Sequence, residues 1–147
     1  MRKTRSNVRR PKDFPIATIY REAEIDVSVD KLWEALSDVA NVDKLLSYLE
    51  SAEIDGDFRT CAMDGGGELR ELIVSIDQER RRVAYSIVEG PFGFEHHSSS
   101  WRAVADGDKA VFIWETDVMP HSIAEVLEPV IDQSINDIRA AIESAAA

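Results

Sequence analysis

Cysteine is almost missing from the 147-residue chain: Cys61 stands alone, so no disulfide can form within it. A lone thiol fits a reducing compartment, and cytoplasm is the expected location. Apolar stretches are also short. None approaches the roughly 20 residues needed to cross a bilayer, and the basic N-terminus is not followed by the apolar segment of a secretory signal. Histidine occurs three times and no Cys/His spacing repeats, so neither a metal site nor a cofactor is expected. Basic residues are scarce outside the first 14 positions. That segment holds Arg2, Lys3, Arg5, Arg9, Arg10 and Lys12 against Asp13, which leaves eleven basic and 27 acidic residues, a net −16, on the remainder. Such a body repels nucleic acid and anionic lipid, so a nucleic-acid contact is conceivable only through the tail. Residues 1–14 are read as a solvated, flexible arm and residues 15–147 as one domain.

What is present is regular periodicity. Residues 17–27 place Ala17, Ile19, Ala23, Ile25 and Val27 on one face, with Arg21 falling among them. Ser28 is an N-cap for a short helix carrying Val29, Leu32, Trp33 and Leu36, and Asn41 is positioned to cap a second carrying Val42, Leu45, Leu46 and Leu49. Turn signals then separate strands near 51–55, 58–63, 68–76, 82–89, 94–105 and 110–119. From Ser122 onward, Ile123, Val126, Leu127, Val130, Ile131, Ile135, Ile138 and Ile142 form a helical stripe about six turns long. Pro129 lies inside it and predicts a kink or restart.

The predicted fold class is α+β: one strand, two short helices, six further strands and a long C-terminal helix. A seven-stranded curved antiparallel sheet wrapped around that helix tends to enclose a cavity. Order and landmarks resemble the START-like, or Bet v 1-like, helix-grip superfamily, in particular its polyketide cyclase/dehydrase and lipid transport group. The landmarks are Ile25-Asp26-Val27 before Leu32-Trp33, then Asp38, Gly56, Arg70-Glu71-Leu72, Asp77 to Arg81, Tyr85 to Pro91, Trp101 and Met119-Pro120, spanning about residues 17–145. Leu45-Leu46 replace a tryptophan usual in the second helix. Asp64 to Gly67 lacks the proline-bearing gate of the plant hormone receptors in the superfamily, so no gate-and-latch signalling is expected.

The crowded stretch EGPFGFEHHSSSW divides on a strand, with Glu95, His97, Ser99 and Trp101 on one face and Phe94, His96, Ser98 and Ser100 on the other. Trp101 favours the first set as internal. His97 and Ser99, at i and i+2, stand about 6 to 7 Å apart by the strand rise, too far for a base and nucleophile. In GELRELIVSID the alternation leaves the facing of Glu71 open, and in the strand 110–119 it leaves both parities open. The resemblance implies that Glu71, Tyr85, Ile87, His97 and Ser99 face a cavity closed by Leu127, Val130, Ile131 and Ile135. A buried carboxylate at position 71 requires a cation, for which Arg21 and Arg59 are the candidates.

The expected function is binding or transport of a small hydrophobic or amphipathic, lipid- or polyketide-like ligand, with no catalytic residue assigned. Two alternatives are a cyclase/dehydratase-type enzyme and a quinone-binding or ribosome-associated interaction protein using the basic tail.

Overall fold

The computed structural model describes residues 15–147; the arm expected at residues 1–14 lies outside them. Strand β1 (Ala17–Ile25) buries Ile19, Ala23 and Ile25, the face its alternation marks. The Ser28 hydroxyl accepts a hydrogen bond from the Lys31 amide (3.2 Å) and so opens helix α1 (Val29–Ser37). Leu32, Trp33 and Leu36 are buried, and the Trp33 indole donates to Gln78 (2.8 Å).

The expected second α-helix is instead a 3-10 turn, Val39–Lys44. Asn41 does not cap it. Its side-chain amide donates to both carboxylate oxygens of Asp38 (3.1 and 2.9 Å), while Leu49 has already entered the next strand.

Six strands follow: β2 (Leu49–Asp55), β3 (Phe58–Met63), β4 (Glu68–Asp77), β5 (Arg82–Glu89), β6 (His96–Asp106) and β7 (Lys109–Met119). They form one antiparallel sheet in the order β1-β7-β6-β5-β4-β3-β2. Gly56 and Gly107, at φ 63° and 65°, occupy the left-handed positions of two hairpin turns, where a side chain would be strained. The parity left open in β7 is settled by burial: Ala110, Phe112, Trp114, Thr116 and Val118 point inward, and Glu115 is exposed.

Helix α2 (Ile123–Ala146) lies across the concave face and runs unbroken through Pro129, so the expected restart does not occur. The proline sits in the second turn, where one backbone bond is lost. Ion pairs of Arg21 with Glu128 (2.9 Å) and Asp132 (2.7 Å) tie the helix to β1 on either side of it. Leu127, Ile131, Ser134, Ile135, Ile138 and Ile142 face the core. Val126 does not: it is 63 % exposed, because the inward arc at this end of the helix is narrower than the apolar stripe. No helix among the described residues is long and apolar enough to cross a membrane.

Candidate ligand cavity

Between the sheet and the first half of α2 lies a cavity of about 40 Å³. Its polar end is made by a cross-strand pair. Arg59 on β3 and Glu71 on β4 are register partners, and both point inward, where they are 3 % and 5 % exposed. The Arg59 Nε donates to Glu71 Oε1 at 2.7 Å, and its Nη1 donates to the Val39 carbonyl at 3.0 Å. Arg59 is therefore the partner of Glu71. Arg21, the other candidate, is spent on Glu128 and Asp132.

A buried ion pair persists only when geometry and extra hydrogen bonds offset its desolvation, and here the backbone of the 3-10 turn supplies one of those bonds. The guanidinium also lies 5.5 Å from the Tyr85 ring centre. A register shift in the β4–β5 ladder falls at this point, with Val88 of β5 as the extra residue opposite Arg70 and Glu71. Glu71 Oε2 accepts no hydrogen bond from the described residues, and Glu71 lines the cavity.

Three neutral acids surround the pair. Burial pushes the Tyr48 phenol up to about 12 and raises Tyr85 as well. The Cys61 thiol, 3.6 Å from Glu71 Oε1, is pushed up to about 12, chiefly by burial and then by the Glu71 charge. All three stay protonated at neutral pH. Cys61 is therefore no nucleophile.

His97 owes its position to a seam in the sheet. Strands β5 and β6 pair only from Arg82 to Tyr85; beyond Tyr85 the ladder stops. Two side chains take over: the Ser86 hydroxyl donates to the His97 carbonyl, and the Ile87 amide donates to His97 Nδ1 at 2.9 Å. With Nδ1 accepting, the neutral ring carries its proton on Nε2. Burial, followed by the nearby His96, lowers the His97 pKa to about 4. His97 and Ile87 line the inner cavity and also an outer groove of about 430 Å³, so they form the partition between them.

Of the residues expected at the site, Glu71, Tyr85, Ile87, His97, Leu127, Val130 and Ile131 line the cavity. Ser99 and Ile135 share their inward facing but lie outside its lining. The Ser99 hydroxyl is occupied by the Trp114 indole (3.0 Å) and Thr116 Oγ1 (2.8 Å), and Ile135 packs into the core beyond the cavity end. Tyr48, Phe92 and Thr116 line it without having been expected. Tyr48 and Phe92 sit in connecting segments, where no periodicity marks facing. Thr116 shares the face of Phe112 and Trp114, and that parity would have found it. Among the described residues no group of three metal-ligating side chains converges.

The fold has well-matched relatives among solved structures. A protein from Bacillus thuringiensis superposes with a TM-score of 0.80 at 17 % identity, over 86 % of this chain and 98 % of its own. Norcoclaurine synthase from Thalictrum flavum gives 0.72 at 23 %, over 89 % and 93 %. The Zhui aromatase/cyclase from Streptomyces sp. R1128 gives 0.71 at 20 %, over 89 % and 93 %. At these identities the likeness establishes the helix-grip fold alone. No curated protein matches the chain in sequence. The family described as polyketide cyclase / dehydrase and lipid transport matches residues 17–143, nearly the whole described domain, and the chain belongs to that family.

Proposed function

We propose that this protein binds a small amphipathic molecule in the cavity between sheet and α2, with Glu71 and His97 as its directional polar contacts. One observation carries the reading. A carboxylate pinned by Arg59 keeps one oxygen uncommitted at the cavity, across apolar and aromatic walls from a ring whose donor nitrogen makes no bond within the described residues. The arrangement offers an acceptor and a donor to one ligand. Family membership supports it, as does the fold likeness to norcoclaurine synthase, a protein solved in complex with dopamine and hydroxybenzaldehyde.

Size constrains the ligand. About 40 Å³ holds a few water molecules at roughly 10 to 15 Å³ each, whereas pockets for drug-sized ligands span roughly 300 to 1,000 Å³. Binding even a single-ring molecule therefore requires widening, since a cavity that takes benzene is about 150 Å³. The segment with the fewest backbone bonds to break is the β5–β6 seam.

Catalysis of the cyclase or dehydratase type fits less well. A general base needs a lone pair facing the substrate, but the His97 lone pair is held by the Ile87 amide, and the two tyrosines stay protonated. Only Glu71 Oε2 remains for that role. Native mass spectrometry of protein purified from its own host tests the proposal: a stoichiometric co-purifying small molecule, lost in Glu71→Leu, is the expected result. A native protein that carries nothing and binds no apolar compound would overturn it.

A further inference from the structure

The polar end of the cavity is electrically balanced, and this restricts what it can hold. Glu71 and Arg59, the one carboxylate and the one guanidinium among the lining residues, form an ion pair at 2.7 Å, so their charges offset one another. The remaining polar lining groups are the phenols of Tyr48 and Tyr85, the Thr116 hydroxyl, the His97 imidazole and two indoles. Nearby charges on α2, Glu128 and Asp132, are directed outward to Arg21.

We infer that the site selects uncharged ligands bearing a hydrogen-bond donor and discriminates against anions and cations alike, with the Arg59–Glu71 pair as the element that sets this selectivity. The inference rests on the ligand-binding reading above and narrows its ligand class. An anion drawn to Arg59 finds Nε committed to Glu71 and Nη1 committed to the Val39 carbonyl, so it can approach only Nη2 and would stand beside the Glu71 charge. A cation drawn to Glu71 Oε2 meets the guanidinium on the same carboxylate. Either ion loses its hydration on entering and gains a counter-charge that is already neutralised. A neutral hydroxyl donating to Oε2 incurs neither penalty, and its ring or chain can lie against Tyr85, Phe92 and Leu127.

Benzyl alcohol, benzoate and benzylammonium share one ring and differ in charge, so they test the inference directly. Each is titrated at pH 7 into the nitrogen-15-labelled protein, and the amide shifts of Glu71, Ile87 and Ile131 are followed. Benzyl alcohol should bind about ten-fold or more tightly than either ion. In Glu71→Gln, Arg59 loses its counter-charge, and benzoate should gain about ten-fold relative to benzyl alcohol while benzylammonium gains nothing. In Arg59→Met the gain should pass to benzylammonium. If neither variant folds, the three titrations of the native protein decide. An ion that binds the native protein as tightly as benzyl alcohol overturns the selectivity and leaves the cavity reading intact. No shift at these amides with any of the three overturns both.

Discussion

The two halves of the sheet are built to different standards. On one side β1 pairs with β7 over nine consecutive residues, and β6 pairs with β7 over eleven, with no interruption in either ladder. Trp101 packs edge to face against both Phe112 and Trp114 on its inner surface, with ring centres 5.5 and 5.3 Å apart. On the other side the β4–β5 ladder carries two register shifts, and the β5–β6 ladder ends after four pairs. Glu71 lies at the first shift and His97 at the end of the short ladder. The difference has a physical reason. A complete ladder satisfies every backbone group and points each side chain along the pleat, whereas a shift or a seam re-aims side chains and leaves polar groups to be met by something else. One half is the frame; the other holds the buried ion pair and His97.

The frame should be the costlier half to damage. Phe112 is 1 % exposed and touches both tryptophans, so Phe112→Ala should lower unfolding free energy by about 3 to 5 kcal/mol in urea titration. A loss below about 1 kcal/mol would mean that the β7 face is not the core of the domain.

In the irregular half the sensitive feature is charge rather than volume. Arg59→Met leaves Glu71 buried without its cation and should cost about 3 kcal/mol or more, whereas Arg59→Met with Glu71→Leu removes both charges and should recover most of that loss. A double variant no more stable than the single one would show that the pair stabilises the fold outright.

The seam also predicts an acid-sensitive step. The His97 pKa lies near 4 in the folded protein and near 6.5 when unfolded. The unfolded chain therefore takes up a proton at a pH where the native protein refuses it. The stability associated with neutral His97 is fully present above pH 6.5, declines as pH falls toward 4, and changes no further below that, a span of about 3 kcal/mol. His97→Gln lacks this titration, so the stability difference between native protein and variant should shrink as pH falls through that window. A difference constant from pH 7 to 4 would place the imidazole in contact with water.

How much of this was legible in the sequence follows the same division. Strands β3 and β5 begin and end where the turn residues indicate, and the buried face of β1 is its alternating apolar face. Periodicity reports facing, and facing is what a regular ladder preserves. It does not report depth along the cavity: Ser99 and Ile135 point inward yet stop short of it. Nor does it reveal competition among side chains. Asn41 looks like a helix cap until Asp38 claims its amide, and Arg21 looks like a partner for Glu71 until Glu128 and Asp132 are seen beside it. The seam was the least legible feature, since β5 and β6 each read as ordinary strands and only their pairing shows that the ladder ends at Tyr85.

The finest probe of the comparison is Ser86. Its hydroxyl holds the His97 carbonyl from the outer groove, and it does not line the cavity, so Ser86→Ala loosens the seam without touching the inner contacts. Loss of one such hydrogen bond should cost about 1 kcal/mol of global stability. Its local effect should be larger than its global one. Among the described residues the Ile87 amide is held by the His97 ring alone, and opening the seam exposes it without unfolding the frame. Hydrogen exchange at Ile87 should therefore accelerate by about five-fold or more under native conditions, while the amide of Thr116 in the β6–β7 ladder keeps its rate. Equal acceleration at both amides would mean that the two halves open as one unit, and the division between frame and seam would not survive it.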